Sequence, residues 1–236
     1  MVSEIKLLSY NVLADFFMKD VTDCSKRKDQ IIKYIVGVDA DIICLQEVTD
    51  IVLEDLKKLP LFQMVCTDCK DNNVVILTKY KIISSVLIKF NFNKQAIFMK
   101  ISTKDGFIIQ LIGVHLTSSM SRHSIEKRKK QIAMIMATKE LDMKLPTVIL
   151  GDFNVESDSE MQDSLAKFTD VGLKYGSVNT YDPSNNKLAF LVSPDKTSKR
   201  LDRIYINSLF NINKFVVKND LLHSDHFPIE CIIVLV

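Results

Sequence analysis

Along this chain short apolar runs repeatedly stop on a carboxylate, an amide or a histidine. LLSYN ends at Asn11, IICLQE at Glu47, LIGVH at His115, VILGDFN at Asp152 and Asn154, and LLHSDH at Asp225 and His226. Asp202 does the reverse and opens the run DRIYI. Runs of roughly four to eight residues rich in Ile, Val and Leu are strand-length. Polar groups at their ends emerge at a sheet edge, where binding sites form. A lone Asp in such a place is usually a turn or cap. Six coordinated occurrences in 236 residues demand a fold that brings many strand ends to one rim.

Helical patterns separate the runs. In CSKRKDQIIKYIVGVDAD, Ile31, Ile32, Ile35 and Val36 recur at helical spacing, with Ser25 as N-cap and Gly37 as stop. Ile51 to Leu59 forms a second helix closed by Pro60, and a third begins around Ser124 with Ile125, Ile132, Ile135, Met136 and Leu141 on one face. SEMQDSLAKF reads as a short helix. Strands are expected at 72–79, 84–90, 95–101 and 107–116, the last two joined through the Lys104-Asp105-Gly106 turn. Such hairpins exclude a purely parallel sheet. The expected fold is α/β: two facing, mostly antiparallel sheets in a sandwich with helices outside. No linker divides the chain, so residues 1–236 are expected to form a single domain.

The composition is that of a soluble globular protein, with 47% hydrophobic and 25% charged residues and a net charge of +2. Five cysteines, an odd number, do not suggest a disulfide framework. Cys66 and Cys69 have metal-knuckle spacing but no second pair. No apolar stretch reaches membrane-spanning length, and Met1 to Asn11 lacks the pattern of a signal peptide. An intracellular setting, cytoplasmic or nuclear, is expected, with no membrane and no obligatory protein partner.

The strand-end set consists of oxygen donors plus histidines. That suits a hard ion, Mg²⁺ or Mn²⁺, rather than zinc. His115 and His226 can handle protons or donate to a charged oxygen. Phosphoryl ester hydrolysis needs such a set: a cation, a base for water, and donors for developing charge.

In their order, LLSYNVLAD, ADIICLQEV, VVILTKYKI, GVHLTS, ILGDFNV, RLDRIYI and HSDHFPI resemble the motifs of the endonuclease/exonuclease/phosphatase superfamily, from residue 7 to residue 228. The resemblance implies a four-layer DNase I-like fold and a metal-dependent phosphodiesterase. It makes Glu47 the principal metal ligand, helped by Asn11, with Asp225 beside the metal. His226 would contact the scissile phosphate, held by Asp202, and Asp152 would orient or activate water. Asn154 and His115 would bind phosphate oxygens. The identity of the base stays open between histidine and Asp152.

The opening motifs are most similar to the deadenylase and RNA phosphodiesterase branch, which implies a nucleic acid substrate, RNA before DNA, cut as a 3′-exonuclease. The alternatives are DNA end-processing or tyrosyl-DNA hydrolysis, inositol phosphate hydrolysis, and a non-catalytic nucleic-acid-binding module. Substrate contacts are expected from Lys79 of the Thr78-Lys79 pair. The polar loop 179–200 is a surface loop or a lid that offers Tyr181 for stacking and Lys196, Lys199 and Arg200 for phosphates. The run Lys127 to Lys130 reads as a solvated helix face or a phosphate contact zone.

Overall fold

The computed structural model describes residues 4–15, 19–70, 72–90, 94–176 and 178–236. Numbered in chain order, one six-stranded sheet contains β1 (Glu4–Asn11), β2 (Ile42–Val48), β3 (Gln63–Cys66), β4 (Asn73–Thr78), β11 (Phe210–Val217) and β12 (Ile229–Leu235). Its order is β11-β12-β1-β2-β4-β3. The other contains β5 (Lys81–Lys89), β6 (Gln95–Ser102), β7 (Ile108–His115), β8 (Thr147–Asp152), β9 (Phe168–Asp170) and β10 (Asp202–Asn207), in the order β5-β6-β7-β8-β10-β9. The helices are α1 (Lys19–Thr22), α2 (Cys24–Gly37), α3 (Asp50–Leu56), α4 (Arg122–Met136), α5 (Val171–Lys174) and α6 (Lys187–Val192).

Strand alternation sorts the side chains into layers. Leu7, Ile42, Cys44 and Ile76 from one sheet meet Ile97, Met99, Leu111, Leu150 and Ile204 from the other, all buried. The outer face of the first sheet, with Leu8, Ile43 and Leu45, packs on Ile31 and Ile35 of α2 and on Val52 and Leu56 of α3. Phe98, Ile112 and Ile149 on the outer face of the second sheet pack on Ile132 and Ile135 of α4. The result is the expected sandwich flanked by helices.

Each sheet holds one parallel pair among antiparallel ones. β1 and β2 run parallel across α2, and β7 and β8 run parallel across α4. A parallel pair needs such a crossover. The two crossovers send four strands the same way, so Asn11, Glu47, His115 and Asp152 sit at or near C-terminal strand ends.

Several local expectations shift. Asp23, not Ser25, caps α2: its carboxylate accepts the Ser25 N–H. Gly37 is the last residue of α2, and Asp39 takes the left-handed conformation instead (φ 52°). α4 starts at Arg122, two residues early, because Ser121 accepts the Ser124 N–H. Instead of a helix along SEMQDSLAKF there is one 3-10 turn, Asp158–Met161, that begins a residue ahead of it. The supposed loop 179–200 contains α6. Arg128 departs from the basic run around it and is fully buried, paired with Glu160 at 2.6 Å. No helix among the described residues is long and apolar enough to cross a membrane.

Candidate active site

Strand register brings the polar ends together. Asn11 pairs with Gln46, His115 with Asp152, and Asp202 with Asp152. Glu47 arrives through a break in the ladder. The β2–β4 pairing slips between Leu45 and Val48, and Glu47 takes φ 57°. Such a bulge re-aims one side chain. Asn154, just past β8, is likewise left-handed (φ 52°). Left-handed backbone at a non-glycine residue costs on the order of 1–2 kcal/mol, and it persists where surrounding contacts enforce it. Gly151 has φ 144°, and a Cβ there would lie 2.0 Å from the Val114 carbonyl oxygen. Glycine lets β8 lie against β7 at this point.

Hydrogen bonds fix the carboxylates. The Asn11 amide donates to Glu47 Oε1 (3.0 Å) and Asp152 Oδ2 (3.1 Å), while its Oδ1 accepts the Leu13 N–H. Ala14 N–H donates to Glu47 Oε2 (2.9 Å). Asn154 donates to Asp152 through its backbone (2.8 Å) and its side chain (3.1 Å), and the same amide reaches the Leu116 carbonyl. Its side chain therefore orients Asp152 in this structure. His115 Nε2 lies 3.8 Å from Glu47 and 3.7 Å from Asp152. His226 Nδ1 and Asp202 Oδ2 are 2.7 Å apart, which leaves Nε2 for a substrate. Ser224 Oγ lies 3.2 Å from Asp225 Oδ1.

The electrostatics separate these groups. Burial raises Asp152 to about 7, against the pull of His226. Burial also raises Asp225 to about 6, and the Glu47 charge adds to the rise. Burial lowers His115 well below the ordinary imidazole value, assisted by Lys94 and His226, so it is neutral. For His226 burial again opposes charge, yet Asp202 and Asp225 raise its pKa well above the ordinary value. The two imidazoles are thus pushed in opposite directions within a single site.

A cavity of about 760 Å³ opens onto Glu47, His115, Asp152, Asn154, Asp225 and His226. Leu13, Ala14, Val192 and Pro194 give it an apolar lip; Asn72, Lys94 and Ser118 give it a polar wall. Tyr181 lines it as expected, edge-on to His226 with ring centroids 5.3 Å apart. Its hydroxyl donates to the Ala189 carbonyl.

Two expected substrate contacts lie elsewhere. Arg200 is buried, with its guanidinium on Asp170 (2.9 Å) and Asp158. Lys79 follows the far end of β4, where Thr78 pairs with Ile42 at the start of β2, and it binds Asp39 at 2.6 Å. In the expected lid, Lys199 is held by Glu156 and Asp195, and Lys196 donates to the Phe190 carbonyl. Lys94 was missed. Burial depresses its amine to about 8, with Asp152 and Glu47 pulling the other way, and Nζ donates to the Leu116 carbonyl at 2.7 Å. The signal existed: Lys94 directly precedes the apolar run QAIFMKI, as Asp202 begins its own.

The residues fit a hard divalent cation. Ligand atoms of Glu47, His115 and Asp152 lie within 4.8 Å of one another, as do those of Asp152, Asp202 and His226. Asp202 Oδ1 is buried without a hydrogen-bond partner. Asp152 and Asp225, raised by burial above the usual carboxylate range, lack a positive charge that a cation would supply. Glu47, with His115 and Asp152 beside it, belongs to the first of these sets, and Asp225 lines the same cavity. Asn11, with its amide nitrogen toward the carboxylates, orients them.

Solved structures share this architecture over whole chains. TDP2 from D. rerio, complexed with a single strand DNA product, has 21% identity and a TM-score of 0.83, covering 98% of this chain and 99% of that one. An endonuclease/exonuclease/phosphatase from Bacteroides vulgatus has 19% identity and a TM-score of 0.81, covering 99% and 100%. Truncated TDP2 from Caenorhabditis elegans has 19% identity and a TM-score of 0.79, covering 99% and 98%. A search of curated proteins by sequence gave no match. The sequence profile of the Endonuclease/Exonuclease/phosphatase family runs through residues 8–226, from the strand that carries Asn11 to His226, and the chain belongs to that family.

Proposed function

We propose that this chain is a divalent-metal-dependent phosphodiesterase that hydrolyses nucleic acid. The observation that carries the reading is the convergence of Glu47, His115, Asp152, Asn154, Asp225 and His226 on one cavity, with Asp202 hydrogen-bonded to His226 Nδ1. Burial raises the pKa of Asp152, while Asp202 and Asp225 raise that of His226 against burial, and titratable groups held in such different environments are suited to different tasks. Asp152, oriented by Asn11 and Asn154, takes a proton from the attacking water. The His226 imidazolium donates from Nε2 to a phosphoryl oxygen. Neutral His115 and the Lys94 ammonium face charge on the remaining oxygens. A cation held by Glu47 and Asp225 would offset the phosphoryl charge.

The opening motifs favour RNA, degraded from its 3′ end in the manner of a deadenylase. A DNA-end reading, tyrosyl adducts included, has one specific observation in its favour: the fold likeness to TDP2 complexed with a single strand DNA product. An inositol phosphate reading calls for several cations, and Lys94 is the one lysine lining the cavity among the described residues. The test is a panel with Mg²⁺ or Mn²⁺: poly(A), mixed RNA, single-stranded and duplex DNA, a 5′-tyrosyl DNA end and inositol phosphates. Hydrolysis of poly(A) above all others supports the first reading, and preference for the tyrosyl end supports the second. Folded protein inert on the whole panel overturns the proposal.

A further inference from the structure

We infer that Arg27 is a positioning residue that locks together, from outside the cavity, the two loops carrying Asn11 and Asp225, and so governs how tightly a divalent cation is held. The inference rests on the proposed metal site. Arg27 lies in the first turn of α2, is buried, and is not among the residues lining the cavity. Its Nε donates to the Thr22 carbonyl (2.7 Å), Nη1 to Val12 (2.8 Å) and His223 (2.7 Å), and Nη2 to Leu13 (2.7 Å). Asp15 adds a carboxylate at 3.8 Å.

These carbonyls belong to two separate stretches of chain. Val12 and Leu13 follow Asn11, and Leu13 holds a left-handed backbone (φ 59°). The next residue, Ala14, donates its N–H to Glu47. His223 stands two residues ahead of Asp225. Its carbonyl, not its imidazole, is the group that matters here. Beside the arginine, Ser224 Oγ donates to the Asn11 carbonyl (2.6 Å), and the Asn186 amide donates to the Ser224 carbonyl (2.7 Å). One guanidinium and one hydroxyl thus tie the stretch Asn11 to Leu13 to the residues just ahead of Asp225. Lysine cannot replace that guanidinium. Its three donors radiate from one nitrogen, whereas arginine spreads five over a rigid plane. Groups that hold metal ligands in place from behind typically change metal affinity 10–100-fold when removed.

The test uses the full chain, stripped of metal and titrated with Mn²⁺ by calorimetry, with hydrogen exchange of backbone amides as a readout independent of activity. Arg27→Lys is expected to weaken the Mn²⁺ Kd by roughly 10–100-fold. Exchange should accelerate at residues 12–14 and 222–226 and stay slow in α4. Ser224→Ala, a milder cut in the same seam, should weaken Mn²⁺ binding in the same direction and less; it decides the question if Arg27→Lys does not fold. Gln110→Ala, which removes buried hydrogen bonds to Asp142 and Thr147 at the opposite end of β7, should keep the wild-type Kd. An unchanged Kd in Ser224→Ala and in folded Arg27→Lys overturns the inference, and so does equal weakening in Gln110→Ala. If the wild-type protein binds no Mn²⁺, the metal reading itself fails. Exchange confined to the two loops then still upholds the clamp, and uniform or unaltered exchange rejects it.

Discussion

Replacing Lys94 with methionine should make the protein more stable and less active. The Lys94 ammonium lies against the catalytic cavity, and burial depresses its pKa from 10.5 to about 8. At about 1.36 kcal/mol per unit, carrying that charge in the folded state costs about 3 kcal/mol below pH 8. The Nζ bond to the Leu116 carbonyl returns about 1 kcal/mol, and that carbonyl keeps the Asn154 amide when Lys94 is gone. Lys94→Met fills much the same space without the charge, so it should gain about 2 kcal/mol at pH 7 by these terms. The sign of the pH dependence is distinctive. Between about pH 8 and 10.5 the unfolded chain holds a proton on Lys94 that the folded chain has lost, so wild-type stability rises relative to the variant across that window. Urea unfolding of both proteins at pH 7, 8.5 and 10 measures it. The advantage of Lys94→Met should be largest at pH 7 and mostly gone by pH 10, while turnover on whichever substrate the panel identifies falls. A variant less stable than wild type at pH 7, or a stability difference flat across the three pH values, refutes the placement of a strained cation at the cavity.

Other expectations follow from the same geometry. His226→Asn and Asp202→Asn should each lower turnover on the order of a hundredfold with the fold intact. Because they act as a unit, the double variant should be little worse than the poorer single one; additive losses would separate them. Gly151→Ala puts a methyl group 2.0 Å from the Val114 carbonyl at φ 144° and should destabilise the protein by more than about 4 kcal/mol, read as a collapsed urea midpoint or insoluble expression. Burial raises Asp152 to about 7 and Asp225 to about 6, so at pH 5.5 both are mainly protonated and a cation must displace those protons. Mg²⁺ affinity should therefore rise from pH 5.5 to pH 8, with proton release detected by calorimetry in buffers of different ionisation enthalpy. Affinity independent of pH would contradict the raised values.

The site was legible wherever a strand ends on it. Asn11, Glu47, His115, Asp152 and Asp202 stand at or near the ends of apolar runs, and the two parallel crossovers carry those ends to one rim. Lys79 shows where that logic slips. Thr78-Lys79 also ends an apolar run, but β4 runs antiparallel to β2, so its beginning, not its end, lies beside Glu47. Asn72, just ahead of that beginning, lines the cavity. Arg200 fails for a different reason. Within SPDKTSKR nothing marks it as structural, and the carboxylates that capture it, Asp158 and Asp170, lie 42 and 30 residues away in the chain. A local pattern cannot reveal a tertiary ion pair.

Arginine usage gives the missing part of the logic. The sequence holds five arginines among 31 basic residues, and four of them, Arg27, Arg128, Arg200 and Arg203, are buried. All four brace backbone or carboxylates near the rim. Arg128 donates to the Thr117 and Ser119 carbonyls just beyond His115. Arg203 donates to the Val155 carbonyl just beyond Asn154, and Arg200 and Arg203 share Asp158 and Asp170. The reason lies in the backbone. Leu13, Glu47, Ser119 and Asn154 have left-handed φ, so the chain leaves the ladders at the places where the catalytic groups must point inward. Carbonyls freed there are buried and need donors. A guanidinium supplies five donors in one plane and stays protonated when desolvated, whereas burial weakens a lysine's hold on its proton, as the depressed pKa of Lys94 illustrates. Lysine therefore serves the surface and the cavity wall, and arginine serves the frame that holds an irregular rim in place. A scarce arginine in a lysine-rich chain is thus a marker for the irregular segments of its site, although its partners become visible only in the folded structure.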